Sequence, residues 1–432
     1  MNETEKKIMA KAFSIVMFPE EWSVIKELKE KLPQLPKDLK KKLAKYGIKV
    51  DEVANIFAGA VPEGRELLSD ALLSKLEKVE KISYAMEIKR FREDVERRDL
   101  VQVISVTLKD LWIERYGKEQ AHELFKKQQE FEPLLKKDPH YRDHFVHQFQ
   151  VFLMGVPIIE KFYELISKRV SNVELSWLLA STFHDVGYPV QQHDFLTRAF
   201  FKDFLGVDSI PIMVNFSSVL TDTRFLRYID RLTSFYAFCN SVEAPQKQWR
   251  YSKAYEIDDE LRKLFLKNLI CKPNHGVISA LALLDGIESS SKEDTSGVQK
   301  DSIFSNAVMS AALAILLHDD EVFRNMDEIY FKKNPLAFLL IYCDTIQEWG
   351  RPTALKAYSS IEDRPSLTEL NIIDSEIFAR LEYTQTNRVV RTRFNSKINE
   401  IRNVFKKIRS DKPLFKIALK CGSTEVIEES HD

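Results

Sequence analysis

The sequence is poor in glycine and lacks long apolar runs, and each shortage excludes a class of protein. Only 12 of its 432 residues are glycine, which is too few for a collagen-like repeat and few for the many tight turns of an all-β protein. The longest apolar run, at residues 307–317, is shorter than the roughly 20 residues that a membrane-spanning helix needs. The polar start MNETEKK does not resemble a signal peptide. We therefore expect a helix-rich protein in the cytoplasm, with no membrane partner.

Cysteines are few and the net charge is almost zero. The four cysteines are Cys239, Cys271, Cys343 and Cys421. They stand singly, without the paired spacing of a disulfide framework or a thiolate zinc site, so we expect reduced thiols. Lys and Arg number 64 and Asp and Glu number 65, so no overall basic field favours a nucleic-acid coat or an anionic membrane surface. The function must therefore depend on local groups of residues.

The chain divides into three regions by pattern. Residues 1–135 predict a helical N-terminal region, whose helices either pack on the rest of the chain or pair with a second copy in a homodimer; packing is favoured. Residues 136–360 contain the longest apolar helical runs. Within residues 361–432, strand patterns at 376–383 and 415–419 flank a helical stripe and predict a small α+β module. The module serves regulation or self-association, or else is a plain extension packed on the core. We expect the last residues, STEVIEESHD, to be disordered. The predicted fold class is mainly α.

The most informative stretch is SWLLASTFHDVGYP, at residues 176–189. Its apolar positions recur at helical spacing and lead to the adjacent pair His184 and Asp185, after which Gly187 and Pro189 are expected to stop the helix. A lone His-Asp pair is a weak signal, because adjacent residues often meet by chance. Its meaning depends on the other histidines and carboxylates of the chain.

Histidines adjoin three further apolar helical runs. His144 and His147 lie three residues apart on one helical face, in a helix that can run beside the one ending at His184. His275 opens an apolar helix, and His318 ends the next one. If those two helices are antiparallel neighbours, both histidines lie at the same end. Taken singly, His144 and His147 are better explained as partly exposed polar residues, and His318 as a cation at a helix C-terminus.

A carboxylate completes the set. Asp344 emerges from the apolar run LAFLLIYCD, where an unpaired charge is costly. Gln347, Glu348 and Arg351 share its helical face and are expected to support it. Residues 190–270 form a cation-rich insertion that we expect to cover the His-Asp pair like a lid. Its arginines either contact substrate phosphate or form a solvated helix face, and the second reading is favoured.

The order of these residues over about residues 138–355 resembles the HD superfamily of metal-dependent phosphohydrolases. The residues concerned are His147, His184, Asp185, His275, His318 and Asp344. The two added histidines make the set similar to the two-metal branch, which includes cyclic-dinucleotide phosphodiesterases and the HD nucleases of CRISPR interference helicases. Many members carry HDxGK, whereas this chain reads HDVGYP. Tyr188 stands at the lysine position, so no role of that lysine is carried over.

The resemblance implies a binuclear metal site. One ion would be held by His147, His184, Asp185 and Asp344, and a second by His275 and His318, with Asp185 shared. Imidazole and carboxylate ligands without a thiolate suit divalent Mn, Fe, Co, Ni or Zn. We predict that Asp185, Arg351 and His144 take part in catalysis.

The implied reaction is hydrolysis of a phosphoester by a metal-activated water. A nucleotide or cyclic nucleotide is favoured as substrate over nucleic acid, because no continuous basic tract with interleaved aromatic residues is present. Two other functions stay open. One is a di-iron oxygenase of the same superfamily, and the other is a metal-stabilised protein that senses a nucleotide without hydrolysing it.

Overall fold

A computed structural model describes the protein at residues 122, 125–128, 144–191, 223–241, 259–270, 274–288, 302–326, 328–347 and 364–430. Helices make up 66% of this part and a small sheet region lies near the C-terminus, which confirms the mainly α fold class. Apart from residues 122 and 125–128, which are helical, the predicted N-terminal helical region lies outside the described residues. Glu348 and Arg351 also lie outside them.

The described elements follow the order expected from the sequence, with helices first and most strands last. The helices are α1 (His144–Ser167), α2 (Val173–Phe183), α3 (Thr223–Ser241), α4 (Asp259–Ile270), α5 (His275–Glu288), α6 (Ser302–His318), α7 (Asp320–Asn325), α8 (Pro335–Ile346) and α9 (Arg388–Phe405). The strands are β1 (Ile329–Tyr330), β2 (Ser366–Ile372), β3 (Glu376–Tyr383), β4 (Ile408–Arg409), β5 (Leu414–Cys421) and β6 (Thr424–Glu429).

Helix α6 is the centre of the helical core. Its residues 306–318 are all buried, as expected of a helix that is apolar on every side, and it packs against α2, α5 and α8. Helix α1 packs against α2 and α8. The Trp177 indole of α2 donates a hydrogen bond to the Phe152 carbonyl of α1 at 2.9 Å, which ties these two helices together. The C-terminal end of α6 therefore finishes inside a bundle of neighbouring helices.

The turn after α2 differs from the prediction. Helix α2 already ends at Phe183, residues 184–187 form turns, and helical conformation resumes at 188–191. Gly187 has a different reason to be glycine: a Cβ there would lie 2.5 Å from the carbonyl oxygen of His275 and 2.8 Å from the Ile278 Cβ. Its N–H donates to the Ser279 hydroxyl at 2.8 Å. Close approach to α5, and not helix termination, explains this glycine.

The C-terminal module is a four-stranded sheet in the order β2-β3-β5-β6. Strands β3 and β5 are parallel and are connected through α9, whereas β2 and β6 pair antiparallel to them. Both predicted strands and the helical stripe between them are confirmed. The Phe415 ring of β5 lies 4.5 Å from that of Phe338 and 5.0 Å from that of Tyr342, centroid to centroid. The module thus packs on α8, the helix that carries Asp344.

The prediction that the chain ends in a disordered tail is wrong for Thr424–Glu429, which form β6 along β5. Two acidic residues of this segment, which we expected to be solvated in a disordered tail, instead form ion pairs with cations of neighbouring elements. Glu425 lies 2.9 Å from Arg380, and Glu428 lies 2.6 Å from Arg402. Pairing with β5 and these ion pairs override the low strand propensity of the segment.

Helix α3, part of the predicted lid, lies on the far side of the bundle. Arg224 bonds Asp285 at 3.3 Å, and Asp285 stands ten residues beyond His275, or about 15 Å along α5. At the other end of α3, Asn240 accepts a hydrogen bond from Asn334 at 3.2 Å, and Asn334 lies just before the start of α8, far from Asp344. This helix therefore does not cover the His-Asp pair, which corrects the expected position of this part of the insertion.

Within the described part of the chain, no helix combines the length and apolar character that crossing a bilayer demands. Cys239, Cys343 and Cys421 are buried, while Cys271 falls outside the described residues.

Candidate metal centre

Ends of several helices meet at one point and bring the six predicted ligands together. His147 comes from the first turns of α1, and the pair His184 and Asp185 follows α2 directly. His275 is the first residue of α5 and His318 the last of α6. Asp344 is delivered by the last turn of α8. Their side chains form two overlapping groups.

The first ligand group consists of His147, His184, Asp185 and Asp344. The Nε2 atoms of His147 and His184 are 3.3 Å apart. One oxygen of Asp344 lies 2.8 Å from the His147 Nε2 and 3.9 Å from the His184 Nε2. The Oδ2 atom of Asp185 lies 3.9 Å and 3.7 Å from the same two nitrogens. Ligand atoms of His147, His184 and Asp185 all lie within 4.8 Å of one another, so they can hold an ion.

The second ligand group consists of Asp185, His275 and His318. The two histidine Nε2 atoms are again 3.3 Å apart, and the Oδ1 atom of Asp185 lies 3.6 Å from the His275 Nε2. These three residues also meet within 4.8 Å. The two oxygens of Asp185 thus face different histidine pairs, Oδ2 the first and Oδ1 the second. A carboxylate in this position can join two ions.

The Nδ1 atom of every histidine in the two groups faces an oxygen acceptor. The acceptors are the Gln347 amide oxygen for His147, the Ser181 carbonyl for His184, the Gln191 amide oxygen and the Asp319 carboxylate for His275, and the Ile315 carbonyl for His318. None of these oxygens carries a proton to donate, so each Nδ1 bears the hydrogen. Each Nε2 then directs its lone pair or a second proton into the cluster.

The nitrogen pairs fit a bound cation. Two nitrogen lone pairs repel each other at 3.3 Å, so a proton or a metal ion must lie between them. Two nitrogens that each lie about 2.1 Å from one ion are ~3.3 Å apart when the angle at the ion is about 104°. The separation found in both pairs therefore matches shared ligation. The buried His/Asp cluster can hold metal ions.

The carboxylates control the charge of the cluster. Burial opposes the charge of Asp185, but His184 and the hydrogen bond from His144 outweigh burial and hold the pKa of Asp185 well below its usual range. Burial likewise disfavours the imidazolium of His275, but Asp319 outweighs it and raises the pKa of His275 to about 9. Burial, together with His184 and His275, lowers the pKa of His318 to about 4. At neutral pH, His275 is therefore protonated on both ring nitrogens, whereas His318 is neutral. An entering metal ion would displace the proton on the His275 Nε2.

His144 lies beside the cluster but outside both nitrogen pairs. Its Nδ1 is 2.8 Å from the Asp185 Oδ2, and its ring centroid is 4.0 Å from that of Tyr188. His144 therefore supports the shared carboxylate. The predicted catalytic role of Arg351 falls outside the described residues.

Sequence reasoning missed two partners of His275. Asp319 and Gln191 both contact its Nδ1, at 2.8 Å and 2.7 Å. Asp319 had a usable signal, since it follows His318 directly and so repeats the letters of the first His-Asp pair. Gln191 had none.

Comparisons with protein-family models, curated proteins and solved structures found no match to this chain. The resemblance to the HD superfamily therefore remains a prediction, and the function is inferred from the site itself.

Proposed function

We propose that the chain is a metal-dependent phosphohydrolase that binds two divalent transition-metal ions in this cluster and cleaves a phosphoester of a nucleotide or cyclic nucleotide. The observation that supports this most directly is the position of Asp185. Each of its oxygens faces a different pair of histidine nitrogens, as a carboxylate shared by two ions requires. Two ions that share one ligand are a common arrangement in enzymes of phosphoester hydrolysis.

The ligand types favour Mn, Fe, Co, Ni or Zn. Imidazole and carboxylate donors suit these ions, whereas sites for Ca or Mg use oxygen ligands. The thiol of Cys343, the neighbour of Asp344, does not compete as a ligand, because burial raises its pKa. The first ligand group would hold one ion through four side chains. The second group offers three, and so leaves more coordination positions for water and substrate.

Bound divalent ions would lower the pKa of a coordinated water toward neutrality and offset the charge of phosphate oxygens. The residues of the chain limit where a substrate can approach. The His147 and His184 side chains are 1% and 0% exposed, whereas those of His275 and Asp344 are 17% and 36% exposed. A substrate would therefore enter from the side of His275 and Asp344. His144 would hold Asp185 in place through the contact between its Nδ1 and the Asp185 Oδ2.

The test is metal content together with turnover. The full chain is stripped of metal, reloaded with Mn and examined by elemental analysis, and is then assayed on a set of phosphodiesters that includes cyclic nucleotides, cyclic dinucleotides and single-stranded nucleic acid. We expect about two ions per chain and hydrolysis of a nucleotide. Asp285→Asn is the control variant, since it removes a carboxylate of the same helix as His275 at a site far from the cluster.

Two results would support the other functions. Oxygen consumption by the iron-loaded chain, without phosphoester cleavage, would identify a di-iron oxygenase. Tight nucleotide binding with no turnover under any metal would identify a sensor. Either result would refute hydrolysis as the activity.

A further inference from the structure

We propose that Asp319, held in place by Asn274, is a positioning residue that fixes the orientation of His275 and thereby makes the second ligand group able to bind its ion. The inference rests on the proposed function, because it assumes that this group binds a metal ion. It assigns a role to two residues that contribute no ligand atom to the cluster.

The direction of each hydrogen bond in this chain of contacts is determined. The Val277 N–H donates to the Asn274 Oδ1 at 3.3 Å, so the Asn274 amide must present its NH2 group to the other side. That NH2 donates to one oxygen of Asp319. The second oxygen of Asp319 lies 2.8 Å from the His275 Nδ1. The carboxylate is almost fully buried, so bulk water does not compete with these partners.

A second acceptor confirms the proton on Nδ1. The Gln191 Oε1 accepts the backbone N–H of His275 at 3.2 Å and lies 2.7 Å from the His275 Nδ1. The backbone N–H fixes which end of the amide faces His275, because an NH2 group there would meet another donor. With two proton acceptors beside it, Nδ1 carries a hydrogen and leaves Nε2 to bind the ion.

Asp319 also supplies charge that the second ligand group lacks. The first group contains two carboxylates, Asp185 and Asp344, whereas the second contains only the shared Asp185. Within the described residues, the Nδ1 partners of the other three histidines are neutral carbonyl or amide oxygens. A carboxylate behind a ligating imidazole increases its basicity, and loss of such a partner typically weakens metal binding about 10- to 100-fold. Asp319 should therefore matter for the second ion and not for the first.

Glycine at position 276 is explained by the same contact. A Cβ there would lie 2.7 Å from the Asp319 Cβ and 3.0 Å from the Ile315 carbonyl oxygen. Only the absence of a side chain lets the first turn of α5 approach Asp319 closely enough for His275 to reach its carboxylate.

The variant Asp319→Asn tests the role with little change in shape. Its NH2 group must face either the Asn274 NH2 or the His275 Nδ1–H, and both are donors. The strain is relieved if His275 moves its proton to Nε2, which then cannot bind metal. We expect the content of the reloaded chain to fall from about two ions to about one, with affinity for the second ion weakened about 10- to 100-fold. Nitrogen NMR of the imidazoles should show a new Nε2–H tautomer.

A paired exchange separates orientation from loss of packing. In Asn274→Asp with Asp319→Asn, the amide introduced at position 319 can donate to the carboxylate introduced at position 274 and accept from the His275 Nδ1–H. The expected result is restoration of the Nδ1–H tautomer and partial recovery of the second ion. Asp285→Asn serves as control and should bind two ions.

The outcomes distinguish the two proposals. If the wild-type chain never binds a second ion, the binuclear function fails and no role of Asp319 in it remains. If the wild type binds two ions and Asp319→Asn binds both with unchanged affinity, the positioning role is wrong while the function stands. An exchange variant no better than Asp319→Asn alone would also overturn the positioning role. Retention of the first ion shows that a variant is folded.

Discussion

On the proposed function, with two bound ions, Gly187→Ala should prevent binding of the second ion while leaving the first. The added Cβ would start 2.5 Å from the His275 carbonyl oxygen, and contacts under 3.0 Å force something to move. The turn after α2 and the first turn of α5 must therefore separate by at least 0.5 Å, the difference between these two distances. Metal–ligand distances in a well-formed site agree with their expected values to about 0.2 Å. The shift thus exceeds what the contact between Asp185 and His275 can absorb.

The first ligand group should be spared, because the three atoms nearest the new Cβ all belong to α5, which carries no ligand of this group. Displacement of α5 relieves the contact and leaves α1, α8 and the turn after α2 in place. Overpacking of this kind typically costs about 1–3 kcal/mol of the free energy of unfolding. Two measurements are therefore needed. Urea unfolding gives the stability, and elemental analysis after reloading gives the metal content. We expect about one ion per chain in the variant.

Gly422→Ala is the matched control for destabilisation without a change at the site. Gly422 joins β5 to β6 with a φ of +61°, and an alanine forced into this left-handed region costs about 1–2 kcal/mol. The hairpin is remote from the cluster, so this variant should keep two ions. If Gly187→Ala also keeps two ions at unchanged affinity, or if Gly422→Ala loses one, the proposed link between this glycine and the second ligand group is wrong.

Other changes should act on the ions or on the fold selectively. Asp185→Ala should lose both ions and all activity, because both ligand groups share this carboxylate. The circular dichroism spectrum should stay unchanged, because a carboxylate at a helix end contributes little packing. Full activity in a folded, metal-loaded variant would contradict the shared role of Asp185. The double variant His275→Ala, His318→Ala should bind about one ion, and a wild-type content that stays at one under metal excess would leave a mononuclear site. Phe415→Ala should lower the free energy of unfolding by about 3–5 kcal/mol without changing metal content, and a loss under ~1 kcal/mol in urea titration would contradict its place in the core. Removal of metal by a chelator should lower the free energy of unfolding by about 2.7 kcal/mol per ion, compared with the protein at a free metal concentration of 100 times Kd. Identical urea curves with and without chelator would show that no ion stabilises the fold.

The candidate ligands could be predicted from sequence because each one lies within an apolar run or at one end of it. His184 and His318 follow runs so apolar that the helix must be buried to its last turn, and a buried polar residue needs a partner. The helical period then identifies the face, and the antiparallel packing of α5 and α6 brings His275 to His318. The same reasoning works for Asp344. It requires only local pattern and the cost of burying polar groups.

The partners of the histidines could not be predicted in this way. Gln347 was expected to support Asp344 on a shared helical face, yet α8 ends at Ile346 and Gln347 has extended backbone angles. Its amide oxygen instead contacts the Nδ1 of His147, which stands 200 residues earlier in the sequence. Gln191 is a similar case, an ordinary polar residue whose role depends on a contact between distant segments that no local pattern marks. Asp319 differs, because it follows His318 and so repeats the letters of the first His-Asp pair; that signal marks the residue but does not say that its partner is His275.

The place of each histidine in its helix explains which of them needs such a partner. The last four carbonyls of a helix have no N–H partner within it, and His184 and His318 each use Nδ1 to bond one of them, at Ser181 and Ile315. One ring nitrogen thus satisfies the helix end while the other faces the cluster. His275 stands at the start of α5, where the unsatisfied groups are N–H donors and no free carbonyl is present. Its Nδ1 must find acceptors on side chains, and Gln191 and Asp319 supply them. His147, in the first turn of α1, likewise uses a side chain, the Gln347 amide, so the two histidines near helix starts are the ones that need partners from distant segments.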